Sequence, residues 1–182
     1  MPTDQLSSTS TPRLSNYSVR NPTPRDAKEI LNLVRESGTL DENSCYAYLL
    51  LCDHFRNTCL VAELEEKIAG FVAAYRPPTR PQSVFVWQIG VALSSRKHGL
   101  AKYLLRHLLA LPATEGVRFL EATVTPSNVP SQRLFKSFAD EVHAPLEIVT
   151  GFESEHFDTP SHEEESLFRI GPIRADLDSI NS

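Results

Sequence analysis

The chain has 182 residues, enough for one ordinary domain, and its 41% hydrophobic content supports a proper core and excludes a disordered chain. No apolar run approaches the ~20 residues that span a bilayer, and the N-terminus lacks the apolar core of a signal peptide. A formal net charge of -5 argues against a broad nucleic-acid footprint. Arg96, Lys97, His98, Lys102 and Arg106 nevertheless form a local basic patch suited to a phosphorylated ligand. Three cysteines, Cys45, Cys52 and Cys59, suit a reducing compartment, and their seven-residue spacing is unlike a zinc site. Cys45 and Cys52, two helical turns apart, are expected on one buried stripe.

Residues 1–17 are rich in Ser, Thr and Pro without apolar periodicity and read as a flexible tail. A short strand is expected over 17–20, then a turn and a helix over about 25–37. Ile30, Leu31, Leu33 and Val34 form that helix's buried face, and Gly38 ends it. A second helix over roughly 44–54 takes Asn43 or Ser44 as its N-cap. Strands over 58–64 and 68–75 flank the polar turn Glu65-Glu66-Lys67, and the proline-rich segment 77–81 is a loop.

A β-branched central strand starts at Val84, and the turn Arg96-Lys97-His98-Gly99-Leu100-Ala101 then opens into a helix. Leu100, Leu104, Leu108 and Leu111 recur at core-facing spacing. The first-turn N–H groups of a helix lack intrahelical partners, and its dipole favours an anion there. A basic turn of this kind therefore holds phosphate. Gly99 lets the backbone approach closely, and small Ala101 leaves it unblocked.

A strand over 117–125 and a helix from about Asn128 follow, then expected strands over 142–149 and 166–170. The stretch 151–165 is polar, carries His156, His162 and a run of acidic residues, and reads as a functional or mobile loop. From about residue 174 the chain reads as a loose tail. The order βααβββαβαββ predicts an α/β (α+β) fold with a central mixed, mostly antiparallel sheet flanked by helices.

The R-x-x-G-x-A pattern at Arg96–Ala101, joined to N-x-x-S-x-x-L-F at Asn128–Phe135, resembles the cofactor-gripping elements of GNAT-type N-acetyltransferases. More specific passages are LDENSCYAYLL at 40–50, FVWQI at 85–89, TVTPSN at 123–128 and HEEESLFRIGP at 162–172. They are similar to the L-2,4-diaminobutyrate acetyltransferases of ectoine synthesis, and the resemblance covers a single acetyltransferase domain over 18–172, with a tail from 173. It implies transfer of acetyl from acetyl-CoA to the γ-amine, by direct attack of the amine on the thioester, giving N(γ)-acetyl-diaminobutyrate. It further implies a cytoplasmic homodimer acting on a small diamine, with no metal, nucleic acid or membrane partner. On this resemblance Ile89, Val91, Arg96, Lys97, His98, Gly99, Leu100, Ala101 and Asn128 bind the cofactor. Phe135 departs from the superfamily pattern, because many relatives carry there a Tyr that protonates the leaving thiolate. That acid stays unassigned.

Trp87 and Gln88 fall mid-strand near the expected thioester; the family-like strand makes Trp87 a substrate-binding wall, with core packing the plain alternative. The backbone of Ile89–Val91 offers groups that the cofactor arm can join like an added strand. One N–H there, with Val91 as the candidate, polarises the thioester carbonyl. Glu121 is costly to bury unpaired in an apolar strand; it is either ion-paired at the sheet edge or the group that binds and deprotonates the amine. Asp41 is a helix cap or a substrate ligand. Tyr46 and Tyr48, two apart on a helix, point to different faces, so at least one is core, and Tyr46 is the substrate-side candidate. His162 and Glu163 are substrate-side candidates through the family-like tail. Acetylation of another small amine or a protein amino group is the enzymatic alternative. A non-catalytic acetyl-CoA-binding module is the other class, and the intact Arg96 and Gly99 speak against it.

Overall fold

The computed structural model describes residues 12–38, 40–159 and 161–173. Its strands are β1 (Ser18–Arg20), β2 (Leu60–Leu64), β3 (Lys67–Tyr75), β4 (Ser83–Val91), β5 (Phe119–Val124), β6 (Leu146–Phe152) and β7 (Glu165–Ile170). They form one sheet in the order β1-β2-β3-β4-β5-β7-β6, antiparallel throughout except where β4 meets β5. Four helices complete it: α1 (Ala27–Ser37), α2 (Cys45–Asp53), α3 (Leu100–Leu109) and α4 (Val129–Glu141). None of the described helices is long and apolar enough to cross a membrane.

Helices cover both faces, as the period-2 alternation of β3 shows. Val72 and Ala74 join the core with Leu104, Leu108 and Phe138 of α3 and α4, whereas Phe71 and Ala73 join Ile30, Val34 and Tyr48 of α1 and α2. Leu104, Leu105 and Leu108 are fully buried, each contributing about 1.5–3 kcal/mol through apolar area removed from water. Local signals were obeyed. Gly38 ends α1 with φ of 65°, and the Ser44 hydroxyl, rather than Asn43, caps α2 by accepting the Ala47 N–H at 3.2 Å. Glu65 and Glu66 both take positive φ, as a tight two-residue hairpin turn requires.

Several boundaries differ from expectation. Tyr17, taken as the end of a flexible tail, is buried against the α3 side, and Leu14–Asn16 before it form a 3-10 turn. Ile173 is buried as well, and its N–H donates to the Arg118 carbonyl at 2.7 Å. The packed region therefore extends past 18–172 at both ends; the remaining expected tail residues, 1–11 and 174–182, lie outside the described residues. The strand expected from Val142 starts at Leu146, because Val142 closes α4, His143 has positive φ and Pro145 has no N–H to pair. Leu111 lies beyond the end of α3, half-buried on the same core. Cys45 is exposed at the start of α2 and only Cys52 and Cys59 are buried, so the cysteine stripe is not formed.

What positions the site is a parting in the sheet. Parallel β4 and β5 pair only at Ser83 with Phe119, Val84 with Leu120 and Phe85 with Glu121. Beyond that point β4 stays with β3 as far as Val91, and β5 stays with β7 as far as Val124. A bulge at the parting pairs Ala73 with Gln88 and Ala74 with Val86, leaving Trp87 as the extra residue. Such bulges bend a strand and re-aim a side chain.

Candidate active site

A cleft of about 890 Å³ opens where β4 leaves β5. Trp87, Gln88 and Ile89 of β4 line it, with Thr123 and Val124 of β5 and Phe135 of α4. The loop before α2 brings Asp41, and the segment before β7 brings Phe157, His162, Glu163 and Glu165. Past Phe85 the edge of β4 that faces β5 has no partner strand among the described residues, so an extended ligand can join it through the main chain.

Asp41, His162 and Glu165 converge: one polar atom from each lies within 4.8 Å of the others. Two carboxylates and an imidazole at this spacing can hold a cation, whether a metal ion or an ammonium group. Asp41 is carried by a fixed loop. Gln88 donates from Nε2 to the Asp41 carbonyl at 2.8 Å, and its Oε1 accepts the Tyr48 hydroxyl at 2.9 Å. Burial pushes the Tyr48 phenol above its ordinary pKa, which keeps it a neutral donor. Its ring lies 6.0 Å from that of Trp87. On the opposite side, the His162 ring stacks on Phe157 at 3.7 Å and 9°. His162 Nδ1 lies 2.7 Å from the Glu163 carbonyl, so Nδ1 carries the proton and Nε2 is left to act elsewhere.

Glu121 does not line the cleft. It is 0% exposed, and it is held by the Ser83 hydroxyl at 2.8 Å, Arg80 Nε at 3.0 Å and Arg169 Nε at 3.3 Å. The Arg169 guanidinium also sits 3.9 Å over the Phe119 ring. The reason is register: Glu121 stands opposite Phe85, at the last position before the strands part, where the neighbouring strand still closes the sheet. Tyr46 is 67% exposed and lines no part of the cleft. Tyr48 is the inward member of the pair, since positions two apart on a helix face opposite ways.

The expected phosphate turn lies outside the cleft lining. Gly99 takes φ of 81° as the residue before α3, and Lys97 is left-handed too, with φ of 66°. Lys97 and Gly99 are exposed, whereas Leu100 is buried in the core and His98 Nδ1 is buried with no hydrogen-bond partner among the described residues. Arg96 braces the turn, donating from Nε to the Val91 carbonyl at 3.1 Å and from Nη2 to the Ser37 carbonyl at 3.3 Å. Lys102 and Arg106 of α3 are both paired with Glu141, which leaves the positive field concentrated at the turn. Asn128 caps α4 by accepting the Ser131 N–H at 3.2 Å while lining the cleft.

Three contributors escaped the sequence reading: Glu165, Tyr48 and the anchoring role of Gln88. Glu165 begins β7 at the end of an acidic run, and no local pattern separates it from Glu163 and Glu164. Tyr48 could have been found from its position inside an apolar helix, but its bond to Gln88 is purely tertiary.

The parting of β4 from β5, the glycine-opened α3 and the cleft between them define a GNAT-type acetyltransferase. The sequence profile of the acetyltransferase (GNAT) family matches residues 27–139. The chain is 45% identical over 152 residues to the L-2,4-diaminobutyric acid acetyltransferase of Marinococcus halophilus, covering 84% of this chain and 88% of that protein. It is 44% identical over 158 residues to that of Bordetella parapertussis, covering 86% and 85%. The solved structure of diaminobutyrate acetyltransferase EctA from Paenibacillus lautus, in complex with its substrate L-2,4-diaminobutyric acid and coenzyme A, matches with a TM-score of 0.82. That match is 46% identical and covers 86% of this chain and 95% of that one. The Ard1 structure from Thermoplasma volcanium, 13% identical with a TM-score of 0.67, covers 86% and 98% and shares the fold alone. The chain belongs to the diaminobutyrate acetyltransferases of the GNAT family.

Proposed function

We propose that the protein transfers the acetyl group of acetyl-CoA to the γ-amine of L-2,4-diaminobutyrate, yielding N(γ)-acetyl-L-2,4-diaminobutyrate for ectoine synthesis. The observation that carries this reading is the convergence of Asp41, His162 and Glu165 beside Trp87, in the cleft at the parting of the sheet. Diaminobutyrate brings two ammonium groups and a carboxylate. The two acidic side chains share one ammonium group, and His162 or a backbone N–H meets the carboxylate.

In this mechanism the thioester arm runs along the open edge of β4 at Ile89 and Val91, with the phosphates on the turn Arg96–Ala101. Leu100 contributes there through its backbone N–H, as its side chain is core. Exposed Gly99 and Lys97 and the unpartnered His98 Nδ1 fit that role. The ammonium loses its proton to a cleft carboxylate, directly or through water, and the amine attacks the carbonyl carbon. The C–N bond forms, the Val91 N–H steadies the oxygen as charge builds on it, and the nitrogen gives up its second proton to the departing sulfur or to water as the C–S bond breaks. Phe135 has no proton to give. A free thiol titrates near 8.5, so the thiolate leaves near neutral pH without a strong acid beside it.

Direct transfer is supported by the two buried cysteines, and exposed Cys45 does not line the cleft. Burial pushes the Cys52 thiol up to about 12 and the Cys59 thiol up to about 11, which keeps both protonated and poor nucleophiles. A cytoplasmic homodimer completes the proposal. Exposed Tyr46, Leu49 and Phe55 on and after α2, and Ile148, Val149 and Phe152 on β6, are apolar surface that a second copy would cover, and light scattering reads the mass.

The deciding assay gives the purified protein acetyl-CoA and a panel of amines, following thiol release and product structure by NMR. Diaminobutyrate is expected to be acetylated at the γ position alone. A diamine without the α-carboxylate should react about 10–100-fold less efficiently, the worth of one hydrogen bond to a charged group. Equal rates on simple diamines or peptide amines, or mixed α- and γ-products, would remove the dedicated reading. Gly99→Val tests the cofactor side. A Cβ there meets only Leu14 Cδ1 at 3.8 Å, so space is not the obstacle, but φ of 81° is strained for a β-branched residue by about 1–3 kcal/mol. The turn should distort and the KM for acetyl-CoA rise roughly tenfold or more, with the KM for diaminobutyrate little changed. An unaltered acetyl-CoA KM would detach the turn from the cofactor.

A further inference from the structure

We propose that Glu163 is a positioning residue, a latch that ties the amine-side segment to the turn before α4 through Ser127, and not a ligand of the substrate. The inference rests on the reading of the cleft given above. After β6 the chain passes through 153–164 before entering β7, and this segment supplies Phe157, His162 and Glu163 to the cleft. Among its described residues the regular structure is a 3-10 turn at Ser154–His156.

Its internal bonds fix its shape but not its place. Phe157 stacks on His162, and His162 Nδ1 donates to the Glu163 carbonyl. The Glu153 N–H donates to His156, and Thr159 to Asp158. Among the described residues, the side-chain hydrogen bonds that leave the segment are those of Glu163. Its Oε2 accepts the Ser127 N–H at 3.2 Å and also the Ser127 hydroxyl.

Ser127 stands between β5 and α4, beside the helix cap Asn128, and lines the cleft. One carboxylate oxygen accepting two donors is a charge-assisted arrangement. Being exposed, each bond is worth less than in a core. Its effect is conformational: with the latch closed, His162 is already in place beside Asp41 and Glu165. With the latch open, the amine must order the segment as it binds, and that cost appears in substrate affinity.

The test is a double-mutant cycle with hydrogen–deuterium exchange. Glu163→Ala, which removes the acceptor of both bonds, is expected to raise the KM for diaminobutyrate about tenfold, about 1.4 kcal/mol, far more than it lowers kcat. Ser127→Ala keeps its N–H to Glu163 and should raise it less, and the double variant should be no worse than Glu163→Ala. Glu163→Gln, whose amide oxygen still accepts from Ser127, should recover most of the affinity. Amide exchange across 157–164 should quicken in both alanine variants with no amine present. A Glu163→Ala that raises the KM for diaminobutyrate while leaving amide exchange across 157–164 unchanged would make Glu163 a direct ligand and overturn the latch. So would additive losses, or a Glu163→Gln as impaired as Glu163→Ala. A wild-type protein that fails to acetylate diaminobutyrate would sink the functional reading instead. The exchange measurement still decides the latch in that case, since unchanged exchange in Glu163→Ala refutes it.

Discussion

Glu121→Ala is expected to lower folding stability by about 2–4 kcal/mol, read as a shift in the urea midpoint at constant slope. Removing one partner of a fully buried pair costs about 3–5 kcal/mol. The range is placed lower here because Arg80 and Arg169 are each partly exposed and can return to water, with side-chain exposures of 49% and 36%. Ser83, almost fully buried, has no such escape and loses its acceptor. The damage should centre on the root of the cleft, since Glu121 pairs with Phe85 at the last bridge before β4 and β5 part. Turnover per folded molecule should fall much less than the 10²–10⁴-fold loss typical of a missing general base. A variant of unchanged stability that has lost 10²-fold or more in kcat would return Glu121 to the chemistry.

The second large effect is expected at the opposite end of the cleft. Asp41→Asn and Glu165→Gln keep the shape of each side chain and remove its charge. Each should cost about 1.5–3 kcal/mol toward an ammonium-bearing substrate, roughly 10–100-fold in kcat/KM for diaminobutyrate. The KM for acetyl-CoA should hold within about twofold, because neither residue belongs to the turn at Arg96–Ala101. The two losses should not add, as both carboxylates face one charge. A rise in the acetyl-CoA KM, or wild-type efficiency in both variants, would move the amine site elsewhere in the cleft. If the carboxylate that takes the proton is one of these two, its variant alone should also lose the acidic limb of the pH–rate profile.

Local chemistry in the sequence was enough for the helices, most strands and the α3 turn. The apolar stripe of α1, its stop at Gly38 and the Ser44 cap depend on neighbours within one or two turns, so residues a few positions apart reveal them. Gly99 before α3 is legible for the same reason, since a left-handed residue between a strand and a helix favours glycine. Boundaries were less legible where a single local feature overrode the pattern, as Pro145 did in delaying β6.

The site itself is a different kind of fact. Periodicity tells that Tyr46 and Tyr48 face apart, but only the packing of α2 on α1 and β4 decides that Tyr48 turns inward to Gln88. It tells that Glu121 is a carboxylate in an apolar strand, but only the register of β4 on β5 decides that it closes the sheet instead of facing the cleft. Glu163 and Glu165 are alike in sequence. The path of one segment over the cleft gives Glu163 to Ser127 and Glu165 to the group of Asp41 and His162. The sequence by itself determined the elements, the glycine turn before α3 and the family. Strand register, the bulge at Trp87 and the convergence of distant loops were decided by tertiary structure, because they are contacts between segments far apart in the chain, which a local pattern does not encode.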